Sequence, residues 1–173
     1  MAAPAVGGYG RRMANSLMVR DPRGDLSALA DLPELIDLRE LREQDLDAAG
    51  EAYRLSHHGT SSQMTIEEAT GDVRAAWQGE YGQWLPGASL GAWRGDELLG
   101  AVLTVRDAPW DDVPPGPFII DLFVIPAARR MGIARALVAA AVRAVPEPVA
   151  LRVDDTAPAA RALYLDLGFR EVG

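Results

Sequence analysis

Apolar and polar positions change period several times along the chain, and each change marks an element. The most apolar stretch is residues 118–145, FIIDLFVIPAARRMGIARALVAAAVRAV. It begins with a continuous β-branched and aromatic run, 118–125, as expected of a strand buried on both faces. Pro126 ends that run. After a short connection carrying Arg129, Arg130 and Gly132, the residues Ile133, Leu137, Ala141 and Val145 recur every four positions and predict the buried face of a helix. The unit is strand, basic glycine turn, helix.

The remaining pattern is arranged around this unit. Residues 35–38 predict a first strand, and 45–56 a helix that buries Leu46, Ala49 and Tyr53. Thr65 with Glu68 has the capping-box spacing and opens a second helix running to about Trp77. Residues 88–93 and 98–106 are two apolar runs around a Gly95 turn and predict a hairpin. The segment 107–117, rich in proline and aspartate, is irregular. Residues 149–153 predict a strand, 158–167 a helix ended by Gly168, and 169–173 the start of a last strand. Mixed hairpins and strand–helix–strand crossovers give an α/β (α+β) class, with a mixed central sheet flanked by helices. Residues 35–173 form one domain; 1–34 are an N-terminal extension, with a flexible tail over 1–15 and a short strand over 16–20.

Composition narrows the function. The chain has 173 residues, no cysteine, two histidines and a net charge of −8. Disulfides, thiolate metal sites and a cysteine nucleophile are excluded, and with so few histidines no metal site is expected. The negative balance argues against nucleic acid as a partner. The apolar helix is interrupted by Arg135 and Arg143, so no membrane span is proposed. A reducing cytoplasm suits the lack of cysteine, and no signal peptide is recognisable at the N-terminus.

The glycine turn carries chemistry of its own. A helix that starts in such a turn presents backbone N–H groups without intrahelical partners, which suits an anion. Glycine at 132 permits close backbone approach, and Arg129 and Arg130 add charge and multiple donors for phosphate oxygens. No Gly-Lys-Ser/Thr follows, which excludes a Walker-type loop. Arg129-Arg130-Met131-Gly132-Ile133-Ala134 resembles the Arg/Gln-x-x-Gly-x-Gly/Ala signature of the GNAT superfamily of acyl-CoA-dependent N-acetyltransferases. The resemblance extends over about residues 35–173 and implies a mainly antiparallel sheet. It implies acetyl-CoA as co-substrate, its pyrophosphate on residues 129–134 and its acyl arm along the backbone of Leu122, Phe123 and Val124.

A second match lies near the end, where Ala157 to Phe169 are similar to the Asn-x-x-Ala-x-x-Leu-Tyr-x-x-x-Gly-Phe ending of many members. The resemblance makes Tyr164 the candidate acid for the departing thiolate; a free phenol titrates near 10. Ala157 departs from the usual Asn, leaving Thr156 or Asp155 to cap the helix. The strand positions where relatives carry a basic glutamate fall here on Phe118 or Ile120. Asp121 is the only carboxylate of the strand and the candidate base, although simple alternation sets it on the opposite face from those two. A water chain, or a group from the variable segment 57–68, is the alternative base. His57 and His58 lie in that segment and read either as solvent-exposed loop residues or as a base or acceptor contacts.

The expected activity is acetyl transfer to a primary amine of a small molecule or peptide by direct attack. The alternative is a non-catalytic acyl-CoA-binding sensor or regulatory module. Relatives add one more strand after the Gly-Phe strand, for which too few residues remain. Segment 16–20, or the same segment of a second subunit in a homodimer, is the candidate to cover the open edge.

Overall fold

The computed structural model describes residues 15–24, 26, 32–60 and 62–172; the flexible tail expected over 1–15 lies, but for Asn15, outside them. Eight strands form one sheet: β1 (Asn15–Arg20), β2 (Asp37–Glu40), β3 (Gln83–Trp84), β4 (Leu90–Arg94), β5 (Glu97–Arg106), β6 (Pro117–Val124), β7 (Val149–Asp154) and β8 (Arg170–Glu171). Four helices accompany them: α1 (Leu46–Ser56), α2 (Ile66–Trp77), α3 (Ile133–Arg143) and α4 (Pro158–Asp166). The strand order is β2-β4-β5-β6-β7-β1-β8, and β3 pairs with the far end of β5. Every pairing is antiparallel except β6 with β7, which are joined through α3. The mixed, mainly antiparallel sheet is therefore as expected.

The central strand β5 is buried at eight consecutive positions, Leu98 to Val105, because sheet neighbours and helices cover it on all sides. Val145 falls beyond the end of α3 at Arg143 and is half-buried, whereas the four-residue repeat holds for Ile133, Leu137 and Ala141, which are buried, Leu137 fully so. Burial of a side chain of that size contributes about 1.5–3 kcal/mol. The capping box of α2 is formed, with Glu68 N–H donating to Thr65 Oγ1 at 3.2 Å and Thr65 N–H to the Glu68 carboxylate at 2.8 Å. Tyr81, Trp84 and Trp93 are core residues, while Trp77 and Trp110 pack against the core from its margin.

Several boundaries differ from the expectation. The first strand of the expected domain starts at Asp37, and Leu35 is 75% exposed in the preceding turn. Two residues of the loop after α2 form β3, too short for any periodicity to reveal. At the start of α4 neither Thr156 nor Asp155 supplies a cap. Ala157 is the N-cap residue without a side-chain bond, Pro158 removes one orphan N–H, and Thr156 donates instead to Asp154 Oδ1.

The open edge is closed by the chain's own N-terminal segment. Strand β1 lies between β7 and β8 and pairs antiparallel with both, Met18 facing Leu151 on one side and Glu171 on the other. Met18 is fully buried. Arg20 is also buried, which is tolerated because its guanidinium donates to the carbonyls of Leu167 at 2.6 Å, Asp21 at 2.9 Å and Gly24 at 2.8 Å. The Leu167 carbonyl belongs to the C-terminal turn of α4, so β1 also fastens that helix.

Candidate functional site

Strands β6 and β7 diverge. They pair only through Phe118 with Ala150 and Ile119 with Leu151, whereas β6 continues to Val124 against β5. The later residues of β6 therefore have no ladder partner on the β7 side. Gly100 of β5 admits the close passage of this stretch: a Cβ there would sit 2.5 Å from the Phe123 carbonyl oxygen. The gap opens into a cavity of about 620 Å³, lined on one side by Leu122, Phe123 and Val124 and on the other by Ala159, Ala160, Leu163 and Tyr164 of α4. The start of α3 forms its floor through Arg129, Arg130, Gly132, Ile133 and Ala134, and the end of α1 adds Ser56 and His57.

The floor has the form of an anion cradle. Arg130 and Gly132 adopt positive φ, 66° and 80°, and so turn the backbone into the helix. The first N–H groups of α3 lack intrahelical partners and no side chain caps them. A pyrophosphate therefore fits the residues present. The two arginines differ in use. Arg129 donates to the Ser56 carbonyl at 2.8 Å and more weakly to Val124, tying the turn to the end of α1 and the end of β6. Arg130 is exposed and has no acid partner among the described residues. Arg135 also lines the cavity but is paired with Asp166 at 2.9 Å. Met131 is half-buried beside the turn.

Beneath this cavity lies a second group of residues that alternation alone misplaced. The β5–β6 register pairs Leu103 with Asp121 but Thr104 with Ile119, so Ile120 is an extra, bulged residue. Residues paired across a ladder share a face, and positions 101, 103 and 105 of β5 share one face. Asp121 consequently lies on the same face as Phe118 and Phe123, not opposite Phe118. That face meets α1: the Tyr53 ring packs on Phe123 at 5.2 Å, and the Tyr53 hydroxyl bonds the Asp121 carboxylate. Asp121 Oδ1 also accepts the Leu122 N–H at 2.7 Å. Asp121 is not on the cavity wall; its carboxylate sits behind that wall.

Burial pushes the Asp121 carboxyl up to about 6, against the opposing pull of His57, the Leu122 N–H and the Tyr53 hydroxyl. Tyr164 is 7% exposed, and burial together with the Asp121 charge raises its phenol well above the usual value. It therefore remains an O–H donor throughout the working pH range, while full proton loss is made harder. His57 is half-buried on the cavity wall and His58 is exposed; the reading of both as solvent-exposed loop residues holds for one of them. The His57 ring packs edge-on to Tyr53 at 4.8 Å. Sequence reasoning missed Tyr53 and Ser56 as members of this group, because their relation to β6 is set by tertiary packing. Among the described residues no helix is long and apolar enough to cross a membrane.

Comparison with known proteins agrees with this geometry. Among solved structures, a GCN5-related N-acetyltransferase from Sphaerobacter thermophilus superposes with a TM-score of 0.65 at 21% identity, covering 91% of this chain and 48% of that protein. The chain thus spans about half of that relative's length. An aminoglycoside N-acetyltransferase in complex with CoA gives a TM-score of 0.62 at 20% identity, covering 84% of this chain and 94% of that one. The same aminoglycoside enzyme in complex with a bisubstrate analogue, CoA-S-monomethyl-acetylneamine, gives 0.61 at 20% identity, over 80% and 92% of the two chains. These likenesses establish the fold. No curated protein sequence matched the chain. The acetyltransferase (GNAT) family model matches residues 58–169, well over half of the chain and the whole run from α2 through β6, the glycine turn and Tyr164 to Phe169. With the split strands, the uncapped helix start and Tyr164 all within that match, the chain belongs to the acetyltransferase (GNAT) family, whose co-substrate is acetyl-CoA.

Proposed function

We propose that the protein is an N-acetyltransferase that moves the acetyl group of acetyl-CoA to a primary amine of a small molecule or peptide by direct attack. The observation that carries this reading is the opening between β6 and β7, which leads from the cradle at the start of α3 to Tyr164. When bound, acetyl-CoA supplies an activated acyl group on a thiol leaving group. The chain's own residues supply the rest. The N–H groups of Gly132, Ile133 and Ala134, with Arg130, hold the pyrophosphate; Arg129 keeps the turn fixed to α1 and β6. The unpaired edge of β6 at Leu122, Phe123 and Val124 aligns the acyl arm and offers backbone donors to its carbonyl oxygen. The Tyr164 hydroxyl donates to the departing sulfur. Asp121, half-buried behind the cavity wall and bonded to Tyr53, keeps a carboxylate close to that wall.

Calorimetric titration with acetyl-CoA and with CoA, followed by CoA-release assays over a panel of amines, peptides and aminoglycosides, tests the proposal. Micromolar binding with CoA release on addition of at least one amine is expected. Binding without transfer to any acceptor would instead support an acyl-CoA sensor, and no binding at millimolar concentration would remove both readings.

A further inference from the structure

The reaction needs a group on the cavity wall that accepts the amine proton, and the strand residue best suited by chemistry, Asp121, lies behind that wall. His57 stands on it, at the C-cap of α1. Its Nδ1 is 3.1 Å from the Tyr53 carbonyl oxygen and 2.9 Å from Ser56 Oγ. A carbonyl oxygen can only accept, so the contact with Tyr53 requires a hydrogen on Nδ1. The Ser56 hydroxyl already donates its hydrogen to the same carbonyl at 2.7 Å, which leaves its oxygen as an acceptor for Nδ1–H. Both contacts select one tautomer. The neutral ring then carries its lone pair on Nε2, the nitrogen for which no protein partner is found among the described residues.

The ring is also held in place. It packs edge-on to Tyr53, whose hydroxyl is bonded to Asp121, and the Ser56 carbonyl beside it is anchored by Arg129 of the cradle turn. One arginine thus links the pyrophosphate turn to the peptide unit next to His57. A ring fixed in tautomer and orientation, with a free acceptor nitrogen on the cavity wall and a half-buried carboxylate behind it, has the parts of a general base.

We propose that His57 Nε2 is the immediate proton acceptor of the acyl transfer; this rests on the acetyltransferase reading above. As the amine nitrogen forms its bond to the acetyl carbon, its proton passes to Nε2. The C–S bond breaks with its electron pair on sulfur, and the Tyr164 hydroxyl donates a hydrogen bond to that sulfur. The proton on the imidazolium returns through water to the thiolate, so that an amide and a free thiol leave and the ring is neutral again. Asp121 is a positioning residue in this scheme: through its bond to Tyr53 it orients the wall and the ring packed on it.

Two measurements test this. The first needs no substrate: nitrogen-15 and carbon-13 spectra of histidine-labelled protein, assigned with the exposed-residue variant His58→Gln, report the tautomer of His57 directly. Protonation at Nδ1 in the neutral ring is expected; protonation at Nε2 would overturn the proposal. The second is kinetic. His57→Gln is expected to lower kcat about 10²–10⁴-fold, the usual contribution of a positioned base, with CoA affinity unchanged. In His57→Ala, added imidazole is expected to restore part of the rate, which a structural role would not allow. Turnover of both variants within threefold of the parent, or a loss that imidazole does not relieve, rejects His57 as the base. Absence of transfer by the parent protein itself would instead reject the acetyltransferase reading, and the proposal with it.

Discussion

The two walls of the cavity are built in different ways. The β6 wall is contiguous in sequence: strand, turn and helix follow one another from Pro117 to Arg143, and each positions the next. The α4 wall is assembled from both ends of the chain, since α4 packs against β7 and leads into β8, and the strand between those two comes from residues 15–20. A local unit can keep its geometry through short-range bonds such as Arg129 to Val124. A wall built from distant segments depends on pairings that form only when the whole sheet closes. Chemistry that must be placed finely, the phosphate cradle, sits on the local wall, while Tyr164 sits on the assembled one.

Removing β1 is the largest perturbation of this contrast. Deletion of residues 1–20 takes away the strand that joins β7 to β8, the buried Met18 and the Arg20 clasp on Leu167. Loss of one buried side chain of that kind alone costs about 2–5 kcal/mol, so the truncated protein is expected to lose its cooperative thermal transition or to melt more than 10 °C lower. An unchanged melting temperature and oligomer size would show that β1 is an ornament and that the assembled wall stands without it. Gly132→Val is the corresponding break of the local wall. A β-branched residue at φ 80° is strained by roughly 1–2 kcal/mol, which the fold survives, but the shifted turn is expected to weaken acetyl-CoA at least 100-fold by calorimetry. Retained affinity would remove the cradle from the site.

The same contrast explains what the sequence disclosed. The cradle, the capping box at Thr65 and the buried face of α3 were legible because their determinants lie within a few residues of one another. Strand β1 was visible as a short strand over residues 16–20, but its neighbours were not, because pairing with β7 and β8 is decided by where two distant edges are left open. The bulge at Ile120 was hidden for a different reason. Nothing in FIIDLF marks the extra residue; it arises from the register against β5, and it alone returns Asp121 to the face of Phe118. Tyr53 and His57 joined the site by the packing of α1 on β6, which the periodicity of α1 implies only as a buried face without an address.

Tyr164→Phe sharpens the comparison at the point where the walls meet. The ring packing on Phe169 at 5.8 Å is preserved, so folding and acetyl-CoA affinity should change little. Only the hydroxyl is lost, and turnover is expected to fall about 10–100-fold if that donor serves the leaving sulfur. Normal turnover would confine Tyr164 to the core of the assembled wall.

Asp121→Asn gives the smallest effect and the one with a sign to read. Burial raises the Asp121 carboxyl to about 6 in the folded protein, above its unfolded value near 3.9. Between these values the folded state holds the proton more tightly, so stability is greatest below the unfolded value and declines as pH rises through about 6. Above that pH the parent protein carries a buried charge that costs it about 1–3 kcal/mol. Asparagine removes the charge and keeps an oxygen for the Leu122 N–H, so the variant should melt a few degrees higher than the parent at pH 7.5 and differ little at pH 4.5. Its turnover should nevertheless fall, because the field behind the wall is gone. Equal melting curves for parent and variant at both pH values would mean that Asp121 is well solvated and that the carboxylate does not act from behind the wall. A stabilised but slower variant would identify Asp121 as a charge kept at the cost of stability, on the one strand shared by the cradle and the α1 face.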